Sequence, residues 1–149
     1  MSGVPDIARW CAAALLVTPD GRYLMQLRDD KPTILLPGHW ALFGGTVDAG
    51  ESAAAAMRRE LIEELEFTAA DGTAFSEMIV ELPFAPPRFD RMSFFTVPIS
   101  ERQEQAMVQH EGAGRRLFTP ETLAREPRVA PWDLAAVLMH ARQGSLFRR

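Results

Sequence analysis

The segment Gly45–Phe67, GTVDAGESAAAAMRRELIEELEF, carries the strongest structural signal in the chain. Its part Ala53–Leu65 contains neither glycine nor proline, and Ser52 stands directly before this stretch. Such a composition has high helix propensity, and a serine at the N-cap accepts a backbone hydrogen bond from the first turn. The segment therefore predicts a helix over Ala53–Leu65 that is entered through a loop at Thr46–Gly50.

Glutamates cluster on one side of the predicted helix. At about 100° per residue, Glu60, Glu63 and Glu64 fall within an arc of about 100°. The apolar stripe beside that arc consists of Ala54, Met57, Leu61 and Leu65. The small side chains of Ala53 and Ala56 project on the acidic side and would leave room for a ligand to approach the carboxylates.

The clustered charges have two explanations. Like charges at i,i+4 destabilise a helix by about a few tenths of a kcal/mol, and Arg58 and Arg59 are expected to point elsewhere and to compensate little. A hard divalent cation would convert this repulsion into binding, since Mg²⁺ is held by carboxylate and phosphate oxygens. A solvated acidic face explains the same residues, so the helix alone leaves both explanations open.

The residues before the helix extend the pattern. Gly45 is followed after five residues by Glu51, after seven more by Arg59-Glu60-Leu61, and after one more by Glu63-Glu64. This spacing resembles the signature of the Nudix hydrolase family, the nucleoside diphosphate-linked moiety-X pyrophosphohydrolases. Trp40–Gly44 is similar to the strand that leads into this Nudix box. Each fixed residue is about one in ten or rarer in average composition, so a joint chance match is rare.

One position of the box departs from the family pattern. The family usually has glycine after the last leucine, where this chain has Glu66 followed by Phe67. Glycine serves a helix C-terminus because it accepts positive φ. We expect either that Glu66 adopts this left-handed geometry, at a cost of about 1 kcal/mol, or that the helix continues for another turn.

The resemblance implies an α/β (α+β) Nudix fold, in which a mixed β-sheet is sandwiched between α-helices and residues 1–149 form one domain. It also implies Mg²⁺-dependent hydrolysis of a diphosphate bond by water, with Mn²⁺ as a substitute cation. The expected substrate is a nucleoside di- or triphosphate derivative, modified or non-standard dNTPs included. ADP-ribose or a nucleotide sugar is the alternative. A non-catalytic nucleotide-binding regulatory module is disfavoured, because such modules usually lose box acids and this chain keeps them.

The resemblance also assigns roles within the box. The metal ligands that it implies are Glu60, Glu63, Glu64 and the backbone carbonyl of Gly44 or Gly45. Arg59 would orient Glu60, and Glu51 would hold the loop against the helix, which is close to the role of an ordinary local salt bridge. The general base is left open between box glutamates such as Glu63 and Glu64 and an acid outside the box.

Glu111 is the best candidate for an acid outside the box. It stands in Gln109-His110-Glu111-Gly112, ahead of a strand-like segment. Several Nudix subfamilies place an additional acidic ligand or base near such a Glu-Gly pair. An ordinary loop glutamate is the alternative, and Glu104 is a weaker rival. His110 could touch phosphate, although a lone histidine is more often structural or exposed.

Contacts to the substrate have weaker signals. Arg88 and Arg91 could bind phosphate or simply lie at the surface. Trp40 could stack on a base, although aromatic residues are more often part of the core. Asp133 could hydrogen-bond a base edge, but an aspartate in the first turn of a helix is already explained by the helix macrodipole.

The remaining elements follow from apolar stretches and the turn residues between them. The predicted strands are Ala12–Val17, Tyr23–Leu27, Trp40–Phe43, Ala74–Leu82, Met92–Ile99 and Arg116–Phe118. Asp20-Gly21 between the first two marks a tight hairpin turn, because glycine accepts positive φ. Gly44-Gly45 is expected to end the third strand. Pro120–Arg125 and Pro131–Arg142 are predicted to be helical, since proline is well placed at a helix start.

The composition narrows the class of partner. The 149 residues carry a net charge of −4 and show no basic footprint for a long nucleic acid. Cys11 is the only cysteine, which excludes an intrachain disulfide and a cysteine-rich zinc site and favours a buried structural thiol. The apolar run Trp10–Val17 is too short to span a membrane and lacks a signal-peptide cleavage pattern. We therefore expect a cytoplasmic monomer or homodimer that binds a small nucleotide.

Overall fold

A computed structural model describes residues 3–145, and its centre is a seven-stranded mixed sheet. The strands are β1 (Ile7–Val17), β2 (Tyr23–Leu27), β3 (Trp40–Ala41), β4 (Phe43–Thr46), β5 (Thr73–Leu82), β6 (Arg88–Pro98) and β7 (Gly114–Phe118). The helices are α1 (Ala53–Leu65), α2 (Glu101–Ala106), α3 (Pro120–Arg125) and α4 (Pro131–Arg142), followed by a 3-10 turn at Gln143–Ser145. The main strand order is β3-β2-β1-β6-β5, while β4 pairs with β1 and β7 with β2.

Strand β1 organises the two faces of this sheet. It runs parallel to β6 and antiparallel to β2 and β4. Successive side chains of a strand point to opposite faces. Accordingly, Leu16 packs into the core beneath α1, and Leu15 packs into the core on the other face, against α3 and α4.

A separate apolar core lies on each face. Met57 and Leu61 of α1 pack with Phe43 on one side of the sheet. On the other side, Leu123 of α3 and Val137 of α4 pack with strand residues that include Phe94 and Phe118. The predicted sandwich of a mixed sheet between helices is therefore confirmed.

Local signals placed most elements correctly. The hairpin between β1 and β2 is present, with Val17 opposite Tyr23. Helix α1 has the predicted bounds, and the Ser52 side chain caps it by accepting a hydrogen bond from the backbone N–H of Ala55. Helices α3 and α4 also agree with their predicted bounds. Strands β1 and β6 begin earlier than predicted, because they pair with each other from Ile7 opposite Phe89 onward.

One expectation about local structure was wrong, and one short helix was not predicted. Gly44 and Gly45 do not end a strand but lie inside β4, where they pair with Ala13 and Ala12 of β1. A side chain on Gly44 would overlap the carbonyl oxygen of Ala12, so glycine allows this close approach. The short helix α2 was missed because it buries none of its residues and so shows no apolar period.

The departure at Glu66 takes the first of its two expected forms. Helix α1 ends at Leu65, and Glu66 is left-handed, with φ of 51°. Its backbone N–H donates to the Ile62 carbonyl across 3.0 Å, which closes the helix. The chain then turns so that Phe67 is buried in the core. Within residues 3–145, none of the helices has the length and apolarity needed to cross a membrane.

Candidate active site

Arg59 joins the loop before α1 to the acids on the helix. Its Nε and Nη2 donate to the two carboxylate oxygens of Glu51 across 2.9 and 3.0 Å. Its Nη1 donates to Glu60 across 2.9 Å and lies 3.3 Å from a carboxylate oxygen of Glu63. Glu51 also accepts the backbone N–H of Asp48. Glu51 thus links the loop to Arg59, and Arg59 contacts Glu60, while the roles expected of these two residues stay a prediction.

The expectation that Arg59 would point away from the acids was therefore wrong. A long guanidinium side chain reaches residues that its position on the helix alone would exclude. Its hydrogen bonds to Glu51 raise the pKa of Arg59 and, reciprocally, lower the pKa of the Glu51 carboxyl. Both groups stay charged, and one arginine offsets part of the repulsion among the glutamates.

Glu60 lies against the backbone of Gly45. A methyl group on Gly45 would overlap the Glu60 carboxylate, so the glycine provides the space that this acid occupies. Burial raises the pKa of Glu60, and Arg59 opposes that rise. The box glycine and the box glutamate are thus in direct contact across the gap between β4 and α1.

Glu64 is the most deeply buried acid of the cluster, with 4% of its surface exposed. The backbone N–H of Gly44 donates to it across 3.2 Å. Burial, together with the nearby carboxylates of Glu111 and Glu60, raises its pKa to about 9. The surrounding protein groups therefore do little to stabilise a negative charge on the Glu64 carboxylate.

These acids carry the kind of donor atom that hard divalent cations bind. Among residues 3–145, no three acidic, histidine or cysteine side chains are already arranged as a complete set of metal ligands. Glu60, Glu64 and Glu111 nevertheless lie close together. The charge of Glu111 raises the pKa of both other acids, and the charge of Glu60 raises the pKa of Glu64. Glu63 is more open, with 57% of its side chain exposed. Carboxylate oxygens of this kind fit Mg²⁺ or Mn²⁺ better than a soft metal.

The expected space near Ala56 is absent. Ala56 is completely buried in the core beneath α1, so it opens no path to the carboxylates. The helix rotates this position toward the sheet because the apolar stripe is wider than the sequence pattern suggested. The spaces nearest the cluster lie elsewhere, one at Gly44 and Gly45 and one at Glu111.

A cavity of about 130 Å³ adjoins this cluster at Gly44 and Gly45. Asp133, at the start of α4, lines it with 6% of its surface exposed and accepts the backbone N–H of Leu42 across 3.0 Å. Burial raises the pKa of Asp133 to about 7. Cys11, half-buried rather than fully buried, also lines the cavity, and burial raises the pKa of its thiol. Its walls combine apolar residues such as Leu42 and Met92 with the charged residues Arg9, Arg28, Asp90 and Asp133.

A second, more polar cleft of about 410 Å³ opens beside Glu111. It is lined by Gln26, Arg28, Asp29, Lys31, Ile34, His110, Glu111 and Gly112. Arg28 lines both spaces and lies close enough to Asp133 to lower its pKa. Arg28 therefore connects the cavity at Asp133 with the cleft at Glu111.

Comparison with known proteins places this geometry in a family. A model described as NUDIX domain matches residues 8–138. The chain belongs to the Nudix family. Nudix hydrolases generally use divalent cations and act on small nucleotide substrates.

Curated relatives match only through part of their length. Nucleoside triphosphatase NudI of Escherichia coli O139:H28 is 47% identical over 51 residues, which are 34% of this chain and 35% of that protein. NudI of Shigella flexneri matches to the same extent. The matched segment thus spans about a third of the curated Nudix relatives.

Solved structures match over nearly the whole chain and show the fold. The MutT protein from Methanosarcina mazei has a TM-score of 0.76 at 17% identity and covers 96% of this chain and 99% of its own. The Escherichia coli ORF135 protein has a TM-score of 0.73 at 24% identity, covering 95% and 94%. Escherichia coli dihydroneopterin triphosphate pyrophosphohydrolase has a TM-score of 0.72 at 20% identity, covering 93% and 99%.

The expected substrate residues outside the Nudix box divide into two groups. Asp133 lines the cavity, but Arg88 and Arg91 line neither space. Arg88 forms a bidentate pair with buried Asp90, two residues along β6, and Arg91 pairs with Glu77 of the neighbouring strand β5. These ion pairs hold both arginines on the sheet, and a contact of either one with phosphate stays a prediction.

Trp40 and Glu104 also have structural partners. Trp40 packs edge to face on Phe118, with ring centroids 4.9 Å apart, and belongs to the core beneath α3 and α4. Glu104 accepts a hydrogen bond from Arg115 across 2.8 Å. The sequence reading missed Arg28 and Gln26, although a buried glutamine in an otherwise apolar strand, YLMQL, was an available signal.

Proposed function

We propose that this Nudix protein is a Mg²⁺-dependent pyrophosphohydrolase that cleaves a diphosphate bond in a nucleoside di- or triphosphate derivative. The observation that carries the proposal is the cluster of Glu60, Glu64 and Glu111, in which burial and mutual repulsion raise the pKa of Glu64 to about 9. A structural role does not call for three poorly compensated acids at one position, whereas a cation-binding role does.

The box residues would hold the cation. The proposed ligands are Glu60, Glu63, Glu64 and a backbone carbonyl of Gly44 or Gly45. When bound, Mg²⁺ supplies neutralisation of phosphate charge and lowers the pKa of water, and Mn²⁺ is expected to substitute for it. Arg59 keeps Glu60 in place, and Glu51 keeps Arg59 in place.

Glu111 is the general base that this geometry favours. Its side chain is exposed and lies in the polar cleft, next to buried Glu64. A base must reach the proton of the attacking water, and an exposed carboxylate on a loop meets that need better than a buried one. In this assignment Glu111 takes the proton, while Glu63 and Glu64 serve chiefly as ligands.

The two spaces suggest how a nucleotide lies. The cavity beside Asp133 would take the base, since a buried carboxyl with a pKa near 7 can both donate and accept hydrogen bonds. The phosphates would then extend past Arg28 toward Glu111 and Lys31 in the polar cleft. The name of the NudI relatives, nucleoside triphosphatase, supports a triphosphate substrate.

The test is a substrate panel of NTPs, modified dNTPs, ADP-ribose and nucleotide sugars, with Mg²⁺ or EDTA. Wild-type protein should cleave a member of the panel only with the cation, releasing phosphate or pyrophosphate from an NTP or dNTP, or a nucleoside monophosphate and a sugar phosphate from ADP-ribose or a nucleotide sugar. Glu64→Gln should lose most of that activity, while Glu81→Gln, at an exposed position on edge strand β5, should keep it. Inactivity on the whole panel, or equal rates for wild type and Glu64→Gln, would refute the proposal. Preference for ADP-ribose would select the alternative substrate.

A measurement of Mg²⁺ binding distinguishes a non-catalytic binding module from an enzyme. Mg²⁺ should raise the unfolding temperature of wild type, because a ligand that binds only the folded state stabilises it. Glu64→Gln should lose this response yet still fold, since its amide oxygen can accept the Gly44 N–H. Cation binding without turnover on the panel would identify a non-catalytic module.

A further inference from the structure

The loop that carries Glu111 is attached to the C-terminal end of α1. The backbone N–H of Val108 donates to the Leu65 carbonyl across 3.1 Å, and that of His110 donates to the Glu64 carbonyl across 2.8 Å. The last carbonyls of a helix have no partner within the helix. The loop satisfies two of them, so it lies directly over the end of the Nudix box.

A side-chain contact adds to this attachment. The Oε2 atom of Glu66 lies 2.7 Å from Nε2 of His110, and both side chains are about half exposed, at 55% and 54%. Glu66 occupies the position where the family usually has glycine, and it does so in a left-handed conformation that glutamate rarely adopts. Glycine could not form the contact with His110.

The carbonyl of Glu111 is fixed as well. It accepts hydrogen bonds from the side-chain amides of Gln26, across 2.9 Å, and Gln109, across 2.8 Å. Gln26 is buried in β2, so it links the loop to the sheet. With the backbone held on both sides, the carboxylate of Glu111 remains directed at the cluster and acts on Glu64.

We propose that Glu66 and His110 form a latch that positions Glu111 over the acid cluster. Glu66 is then a positioning residue, and its departure from the family pattern serves the loop rather than the helix. This inference rests on the proposed function insofar as Glu111 is the acid that needs positioning. The contact between the loop and α1 can be measured independently of any activity.

The size of the effect follows from the exposure of the pair. Ion pairs between exposed side chains contribute little, and the backbone bonds and both glutamines remain when the latch is removed. The latch therefore increases the fraction of molecules in which the loop lies against α1, while the backbone bonds and the glutamines determine where the loop lies. We expect about a two- to fivefold change in kcat, with little change in KM.

The decisive variant is Glu66→Gly. Glycine adopts positive φ without strain, so the unfolding temperature should stay equal or rise. The same variant should lower kcat about two- to fivefold and speed hydrogen exchange at the His110 amide by a similar factor. A purely structural role for Glu66 would instead make stability and kcat change in the same direction. Glu66→Asn is the control for the backbone flexibility that glycine adds, because asparagine tolerates the left-handed geometry but is too short to reach His110. It should therefore lose as much kcat as Glu66→Gly.

His110→Gln provides the second arm. It leaves the end of α1 unchanged but breaks the same contact, so its losses should equal those of Glu66→Gly, and the double variant should lose no more. Glu66→Gln should restore most of kcat, since its amide oxygen can accept from Nε2. Additive losses, or exchange and kcat equal to wild type in Glu66→Gly, would overturn the latch. An inactive wild type would refute the proposed function, while exchange at His110 would still decide the latch.

Discussion

The backbone N–H of Leu42 donates to the Asp133 carboxyl across 3.0 Å, and Gly44 follows two residues later on the same segment. The neighbouring chain is fixed by two further bonds, from Trp40 N–H to the Arg128 carbonyl and from Ala130 N–H to the Trp40 carbonyl. The start of α4 is therefore registered against the strand that leads into the Nudix box. This places the cavity and the acid cluster at a fixed separation.

The buried carboxyl of Asp133 should make stability depend on pH. Its folded pKa of about 7 lies above the value of 3.8 expected when unfolded, because burial disfavours the charge. The contribution of protonated Asp133 to the free energy of unfolding is then fully present below about pH 4 and is lost as the pH rises through about 7. Asp133→Asn should remove the part of this loss that Asp133 causes, which is about 4 kcal/mol, while the part that Glu64 causes remains. Urea unfolding at pH 4, 5.5 and 7.5 measures it.

Asp71→Asn is the control for this prediction, since Asp71 is exposed before β5. Its stability profile should parallel that of wild type. If Asp133→Asn also follows the wild-type profile, the carboxyl is not the group whose burial limits stability near neutral pH.

Gly45→Ala should damage cation binding more than folding. The added methyl group would overlap the Glu60 carboxylate, which is the movable end of a side chain and will be displaced. We expect at least a tenfold weaker Mg²⁺ affinity, measured by titration of thermal stability, with a small change in unfolding temperature without cation. Gly44→Ala should lower stability instead, because its methyl group meets the backbone of β1.

Gly114→Ala is the matched substitution without an effect. No atom lies within 4 Å of the position that its methyl group would occupy. Unchanged Mg²⁺ affinity in Gly45→Ala would mean that Glu60 does not bind the cation from its present place.

The local elements of this site could be predicted, whereas its contacts could not. Ser52 and the composition of α1 are signals within a few residues, and they gave the helix its correct bounds. The approach of Glu111 to Glu64 depends on the fold of the loop after α2, and only the family resemblance, through the pair Glu111-Gly112, pointed to it. The contacts of Arg59 were predicted wrongly for a similar reason. The angular position of a residue on the helix gives the direction of its Cβ atom but not the place that a long guanidinium side chain reaches.

Long-range pairs explain the residues that were missed or misplaced. Arg28 lies in both spaces because β2 pairs with β7 and brings the Glu111 loop alongside. Arg88 was a candidate for phosphate or for the surface, and it pairs with Asp90, two residues along the same strand, which is buried and requires a cation. The burial of Asp90 and the pairing of β2 with β7 both follow from the assembled sheet, which a single sequence does not reveal.

Arg59→Lys should preserve charge but lose function. Lysine cannot reproduce the paired hydrogen bonds to Glu51 together with the bond to Glu60. Loss of a residue that orients a metal ligand costs about 10- to 100-fold in metal affinity or activity. Steady-state rates at saturating Mg²⁺, and Mg²⁺ titrations, measure both. Arg58→Lys, at the exposed neighbouring position, should keep the wild-type rate and Mg²⁺ affinity. Equal activity of the two variants would show that Arg59 does not orient a metal ligand.

Arg28→Gln should raise KM while leaving kcat largely unchanged. The Nε atom of Arg28 donates to the Leu35 carbonyl across 2.9 Å, which holds the guanidinium between the cavity and the polar cleft. A charge-assisted bond to phosphate stabilises a bound anion, and its loss should raise KM about tenfold. Lys31→Gln should have a smaller effect because Lys31 is more exposed, with 66% of its side chain accessible.

Arg102→Gln on α2 is the control for loss of one positive charge, since it lies at an exposed position outside both spaces. Its KM should equal that of wild type at every ionic strength. If Arg28→Gln lowers kcat and leaves KM unchanged, Arg28 acts in the chemical step and not in substrate binding. If neither parameter changes, the phosphates do not pass Arg28, and the nucleotide must enter the acid cluster from another side.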